Sequence, residues 1–287
     1  MRIHVVIPSV GRAAILAKAV DRLADQTRPP DGVVVVVTGS DDIAGMEQSR
    51  LRPEILFSRR GSCVQRNVAL DHLADGADVA VLLDDDFVPA RDYLEQVERW
   101  MSADPAIAGI GGTLVADGIL GDPIPFEDAV ARLDRGERPV CGIWERESLY
   151  GCNMAISMAA AIGLRFDERL PLYGWQEDID FTSQLARRGR LVSGPQVAGI
   201  HLGVRSARSP GRQLGYSQVA NIVYLCGKGT MPLQHGRRML TRNLAANLVR
   251  SLWPEAHIDR RGRLAGNLLA VADLMRGRLD PQRAEQL

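Results

Sequence analysis

Three consecutive aspartates, Asp84, Asp85 and Asp86, follow directly on the apolar run Val79-Ala80-Val81-Leu82-Leu83. Carboxylates crowded in this way repel one another unless a cation or strong donors neutralise them. The chemistry they suggest is hard-metal binding, with Mg²⁺ or Mn²⁺ as the ions that prefer carboxylate and phosphate oxygens. Aspartates after a strand also form turns and cap helices, and one of the three is expected to do so before Pro89. A second acidic set, Trp175-Gln176-Glu177-Asp178-Ile179-Asp180, opens a helical pattern. With a helix start near Gln176, Asp178 shares a face with Phe181, Thr182 and Leu185 and is expected to point inward. Glu177, about 100° around the helix, is expected to point sideways. An inward carboxylate suits removal of a proton from a bound group, while acids in a first turn also simply favour the helix macrodipole. His201 ends a later apolar run and adds a side chain able to bind a metal.

These groups need a scaffold, and the run before the aspartates reads as a fully buried, parallel strand. Charge at its carboxyl end falls where open α/β sheets bind ligands. Strands are expected at residues 3–7, 33–37, 55–57, 79–83, 106–115, 152–157 and 191–201, the last broken by Gly194-Pro195. Helical spacing appears at Ile15, Leu16, Ala19 and Leu23, at 63–74, at 93–101 and at 176–188, where Gly189 is a good stop. Strands alternating with helices at this rhythm predict an α/β fold with a mostly parallel, right-handed βαβ sheet. Gly109, Gly111 and Gly112 suggest bulges or close backbone approach, and residues 116–147 show no clear period and read as surface loop. Beyond residue 212 the pattern is helical, near 212–228, 237–251 and 262–276, with apolar residues on one face and many arginines on the other. The expected division is a catalytic domain at 1–211 and a helical extension at 212–287.

Composition narrows the function classes. With 35 basic and 35 acidic residues the formal net charge is zero, against the basic excess of a nucleic-acid binder. No apolar run of about 18 residues is present to span a membrane. The start, Met1-Arg2-Ile3-His4-Val5, enters a strand at once, so no signal peptide is expected and the expected location is cytoplasmic. Four cysteines at 63, 141, 152 and 226 lack metal-ligand spacing and are expected to be reduced and mostly buried.

Taken in order, the motifs resemble the inverting, metal-dependent glycosyltransferases of the large bacterial family 2, which have a single GT-A-type nucleotide-sugar-binding domain. The resemblance covers about residues 3–205. It rests on Val6-Ile7-Pro8-Ser9 with Gly11-Arg12, Gly61 with Gln65-Arg66-Asn67, Leu83-Asp84-Asp85-Asp86 ahead of Pro89, Gly151-Cys152-Asn153-Met154-Ala155, Phe166-Asp167-Glu168, the acidic set from Trp175 to Asp180, and His201. It implies transfer of a sugar from a nucleoside-diphosphate sugar to an acceptor hydroxyl, in polysaccharide or glycoconjugate synthesis, with Mn²⁺ or Mg²⁺ as cofactor. By the same resemblance Pro8, Ser9 and Arg12 border the nucleoside, and Arg66 with Asn67 faces the nucleotide. Asp84 and Asp86 form the Asp-x-Asp element, Asp86 binding the metal directly and Asp84 or Asp85 contacting ribose or sugar. His201 is implied as a further metal ligand, Asp178 as general base beside Glu177, and Asn153 and Trp175 as neighbours of donor sugar and acceptor. One departure stands out. Many relatives end the second strand with an aspartate that reads the base, whereas Val37 is followed by Thr38-Gly39-Ser40-Asp41-Asp42; Thr38 is then the residue placed to hydrogen-bond a base.

Two other classes fit parts of the pattern. A sugar-nucleotide nucleotidyltransferase would carry a glycine-rich phosphate loop after the first strand, and only Gly11 is present there. A non-catalytic carbohydrate-binding subunit could keep the fold, since fold alone never proves activity. The acceptor class stays open between glycan, lipid-linked and small-molecule hydroxyls. The basic tail, with Arg237, Arg238, Arg242, Arg250, Arg260, Arg261 and Arg263, reads either as helices packed with a solvated arginine face or as a surface for peripheral contact with the inner face of a membrane.

Overall fold

The computed structural model describes residues 1–119, 121–205, 210–255 and 257–287. The chain divides into two compact units, one of Met1–Arg60, Val64–Arg165 and Gln184–Ala207, the other of Gly61–Cys63, Phe166–Ser183 and Arg208–Leu287.

The first unit holds a mixed sheet of strands β1 (Ile3–Pro8), β2 (Gly32–Val37), β3 (Glu54–Phe57), β4 (Val79–Leu83), β5 (Phe87–Pro89), β6 (Ile107–Asp117), β7 (Trp144–Glu145), β8 (Asn153–Ser157) and β9 (Arg190–His201). Their order is β3-β2-β1-β4-β8-β6-β9-β5, with β7 on β9. The first four positions are parallel, as the strand–helix alternation predicts. Beyond β4 the sheet departs from that rule: β8 pairs antiparallel with both β4 and β6, while β6 and β9 run parallel. Strands β2 and β4, apolar along their whole length, have almost no exposed side chains, as expected of strands buried on both faces. Leu16 and Val20 of α1 (Ala13–Arg22) pack with Val5, Ile7, Val81 and Leu83; Leu94 and Val97 of α3 (Tyr93–Ala103) extend the same core. Helix α2 (Ser62–Leu73) follows β3.

Three elements in this unit escape the sequence reading, one of them the three-residue β5. The stretch expected to be loop contains α4 (Phe126–Asp134), whose Ala129 and Leu133 are buried, and the short β7. Helix α5 (Met158–Ala161) is the short helix after β8. Gly194-Pro195 does not end β9; the strand absorbs it as a bulge, with Gly112 opposite Gly194 and Thr113 opposite Ala198.

The second unit is helical: α6 (Glu177–Leu185), which runs on into the first unit, α7 (Gly211–Lys228), α8 (Leu233–Arg250), α9 (Arg260–Met275) and a closing 3₁₀ turn (Pro281–Gln286). Tyr216, Val219 and Ala220 of α7 pack on Ala270 and Ala284. Helices α7 and α9 approach so closely that a Cβ on Gly215 would meet the Arg263 carbonyl oxygen at 2.1 Å. Among the described residues no helix is long and apolar enough to cross a membrane. The four cysteines are free thiols; Cys63 and Cys152 are buried, and Cys141 and Cys226 partly so.

Candidate active site

The tips of β1, β4, β6 and β9 assemble the first acidic set within one unit. The chain turns at Asp84, whose amide donates to the Cys152 carbonyl at 3.0 Å and whose carbonyl accepts from the Phe87 amide. The three aspartates therefore point in different directions from one short turn. Asp85 accepts from the Ser9 hydroxyl at 2.6 Å and from Arg12 Nη1 at 2.8 Å. Asp86 accepts from the Val204 amide at 2.8 Å, and its other oxygen lies 3.3 Å from His201 Nε2. Asp84 meets Arg66 Nη2 at 3.2 Å, and the same guanidinium donates to the Gly151 carbonyl at 2.9 Å.

His201 is fixed from behind. Its Nδ1 lies 3.0 Å from Asp117 Oδ1 at the end of β6, and Tyr150 stands edge-on to the ring at 6.1 Å. Asp117 is opposite His201 in the parallel register of β6 and β9. The two strand ends come together there because Gly118 has no side chain: a Cβ would sit 1.9 Å from the Leu202 carbonyl oxygen. One donor atom each from Asp84, Asp86 and His201 lies within 4.8 Å of the others, which makes this set a candidate metal centre.

Burial shapes the charges of these groups. It pushes Asp84 above the usual carboxylate range, against the pull of Arg66. It raises Asp85 to about 6 in spite of Arg12. Asp86 goes the other way: burial opposes its charge, but the hydrogen bond and charge of His201, with Arg12 and the Val204 amide, hold it below normal. Burial likewise disfavours the His201 cation, yet Asp117 and Asp86 together lift the imidazole to about 10. The donor set fits a hard divalent ion. Two carboxylates and an imidazole converge, and Asp117 is placed to keep a proton on Nδ1 and leave Nε2 for coordination.

The remaining donor-side residues are less open than their expected roles imply. Pro8 ends β1 opposite Val36, and Ser9 and Asn67 are buried. Thr38 donates its hydroxyl to Asp42 at 2.8 Å, and the other Asp42 oxygen accepts from the Gly11 amide at 2.6 Å. Asp42 thus ties together the loops after β1 and β2, a role the sequence reading did not assign. Asn153, expected beside sugar and acceptor, is fully enclosed, with Tyr93 Oη 3.4 Å from its Oδ1 and Cys152 Sγ 3.1 Å from its Nδ2.

Trp175, Glu177 and Asp178 belong to the second unit. Leu172, Gly174 and Gln176 all have positive φ, at 59°, 66° and 76°. With Gln176 left-handed, α6 starts at Glu177; it ends at Leu185, short of the expected 176–188. Phe181, Thr182 and Leu185 of the expected inward face are buried, Asp178 one turn earlier on that face is only partly covered, and Glu177 and Asp180 are buried, at 5% and 0% exposed. Asp178 Oδ1 accepts from the Ile179 amide at 2.8 Å, and its carbonyl accepts from the Thr182 hydroxyl at 2.6 Å.

Residues 4–153 match the family model described as glycosyl transferase family 2, just over half of the chain. The chain belongs to that family. Solved structures agree on the fold of this glycosyltransferase. A mannosyltransferase from Pyrobaculum calidifontis, solved with GDP-Man and Mn²⁺, superposes with a TM-score of 0.55 at 19% identity, over 99% of this chain and 84% of that one. S. aureus TarS gives 0.57 at 15% identity over 100% of this chain, which spans 55% of TarS. Glucosyl-3-phosphoglycerate synthase from Mycobacterium tuberculosis, solved with Mg²⁺ and UDP, gives 0.52 at 19% identity, over 78% and 79% of the two chains. Among curated proteins, none matches the sequence significantly.

In this glycosyltransferase α7 also holds the acidic segment in place. Lys228 of α7 bridges Asp180 at 2.7 Å and Asp167 at 2.6 Å, Tyr224 donates to Asp167 at 2.7 Å, and Phe166 stacks on Phe181 at 4.1 Å. Asn221 Nδ2 donates to the Trp175 carbonyl at 2.8 Å. Lys228→Ala would remove a paired cation from a fully buried carboxylate. Urea unfolding should show a loss of about 2–3 kcal/mol, at or below the low end for a broken buried pair because Lys228 keeps some solvent. Lys228→Arg should lose much less.

Proposed function

We propose that this enzyme is a metal-dependent, inverting glycosyltransferase that moves a sugar from a nucleoside-diphosphate sugar to an acceptor hydroxyl. The observation that carries this reading is the convergence of Asp84, Asp86 and His201 Nε2, with Asp117 behind the imidazole. Those three residues would hold Mn²⁺ or Mg²⁺. A divalent ion held there would supply positive charge to offset what develops on the departing diphosphate. The presence of Mn²⁺ with GDP-Man, and of Mg²⁺ with UDP, in the two structural neighbours supports the same assignment.

The protein's own groups have separate tasks in this reading. Arg12 and Arg66 lie against the aspartates and offset their mutual repulsion while donor is absent. Both are then placed near a nucleotide, with Pro8, Ser9, Thr38 and Asn67 forming its border and Asp84 or Asp85 meeting ribose or sugar. Asp178 takes the proton of the acceptor hydroxyl as it attacks, because an alcohol is a poor nucleophile until a base removes that proton. Glu177 supports Asp178, and Trp175 borders the sugar and acceptor. Asn153, being enclosed, supports the strand end instead. Attack opposite the leaving group inverts the anomeric centre in one step. We assign the catalytic domain to 1–211 and the extension to 212–287, with α7 bracing α6.

A thermal-shift screen of nucleotide sugars with Mn²⁺ tests the reading, since a ligand at 100 times its Kd adds about 2.7 kcal/mol to the folded state. At least one UDP- or GDP-sugar should raise Tm with Mn²⁺ and lose the effect after chelation. No shift with any donor would contradict it. Asp117→Asn should weaken Mn²⁺ affinity about 10–100-fold, the usual cost of losing the carboxylate behind a ligating histidine. Mn²⁺ titration followed by electron paramagnetic resonance measures that directly.

A further inference from the structure

The outward face of α8 plays no part in the site described above. Residues 233–253 contain four arginines, at 237, 238, 242 and 250, and no aspartate or glutamate, in a chain of zero formal net charge. The basicity is therefore local. Arg238, Arg242, Ala245, Val249 and Leu252 recur every three or four residues, and all are exposed. They form one stripe that is cationic at the helix start and aliphatic at its end. Just beyond, Trp253 is 79% exposed, Leu252 64%, and Leu248 and Val249 59% each. Arg250 pairs with Glu255, whereas Arg237, Arg238 and Arg242 form no ion pair among the described residues.

We propose that this face docks on an anionic lipid surface. Each part has a matching layer in a bilayer interface. A tryptophan ring sits at headgroup level, aliphatic side chains enter the headgroup–acyl boundary, and arginines meet anionic headgroups. A second copy of the chain fits poorly. A two-fold contact that crosses the helices antiparallel sets arginines against the aliphatic end, and one that keeps them parallel sets arginine against arginine. Residues 233–253 offer no carboxylate to pair them in either case. An acidic soluble protein would satisfy the arginines but would also need a cavity for Trp253 and Leu252, which project from the end of a helix. The inference is independent of the glycosyl-transfer reading, since neither donor nor acceptor enters its test.

Flotation of the full chain with vesicles of equimolar phosphatidylglycerol and phosphatidylcholine decides it. The protein should float with these vesicles at low salt, remain behind in molar salt and ignore pure phosphatidylcholine. Arg237→Gln, Arg238→Gln and Arg242→Gln together should lower the partition coefficient about 100-fold. The corresponding three lysine substitutions keep the charge and should bind nearly as well. Trp253→Ser with Leu252→Ser should cost about tenfold or more. All of these side chains are exposed, so the unfolding midpoint should stay put in every variant. The proposal is overturned by absence of flotation with anionic vesicles, by equal flotation with neutral ones, or by full binding of the glutamine variant. Sedimentation showing a dimer that Trp253→Ser with Leu252→Ser dissociates would also overturn it, by assigning the face to a second copy.

Discussion

Asp86→Asn should lower turnover by about a thousandfold or more, the scale set by several kcal/mol of lost charge stabilisation on a leaving diphosphate. The substitution keeps size and can still accept from the Val204 amide, so the fold at the β4 tip should persist. What it removes is the anionic oxygen 3.3 Å from His201 Nε2, one of the three donors of the candidate centre. Donor affinity in the presence of Mn²⁺ should fall together with turnover, because in the proposed reaction one ion would serve both binding and departure of the diphosphate. Steady-state kinetics, with calorimetry of nucleoside diphosphate at fixed Mn²⁺, separates this from general damage. Unchanged Mn²⁺-dependent affinity would move the metal away from Asp86.

Asp178→Asn should behave differently. In its proposed role Asp178 would act on the acceptor, so its loss should cost about 10²–10⁴ in rate while donor affinity holds. The side chain is partly exposed and its Oδ1 is already turned toward the first-turn amide of Ile179. An amide keeps that hydrogen bond while losing the ability to accept a proton. Glu177→Gln should have a smaller effect on rate, because Glu177 is nearly enclosed and less able to reach an acceptor. Parallel loss of donor binding and turnover in Asp178→Asn would remove it from the role of base. A larger rate loss in Glu177→Gln than in Asp178→Asn would transfer that role to its neighbour.

Much of this arrangement was legible in residue order, for reasons that are local. Apolar runs of five or six residues between helical patterns announce parallel strands, and the aspartates after Leu83 mark the carboxyl end of one. His201 was readable as the last residue of another run. Asp117 was not: its link to His201 spans 84 positions and exists only through the β6–β9 register. Gly118 is the trace it leaves in the sequence, since a glycine just past a strand end can mark close backbone approach. Asp42 was missed for a similar reason, its partners lying on two loops that meet only when β1 and β2 pair. Strand β5 is three residues long and includes a proline, too short for any period. Spacing places Asp178 on the face of the buried Phe181, Thr182 and Leu185, but spacing alone does not tell how far cover extends over a first turn, where Asp178 is only partly enclosed. Nor does a non-glycine residue such as Gln176 give warning of a left-handed backbone.

The central claim is that Asp84, Asp86 and His201 hold the ion that grips the donor diphosphate. Anomalous diffraction at the manganese edge, from crystals of the full chain grown with Mn²⁺ and UDP or GDP, tests it most directly. The account predicts a single strong peak between Asp84, Asp86 and His201 Nε2, beside the bound diphosphate, with Asp117 still on Nδ1. A bound diphosphate with no manganese peak between those side chains, or a peak elsewhere with His201 still paired to Asp86, would contradict it.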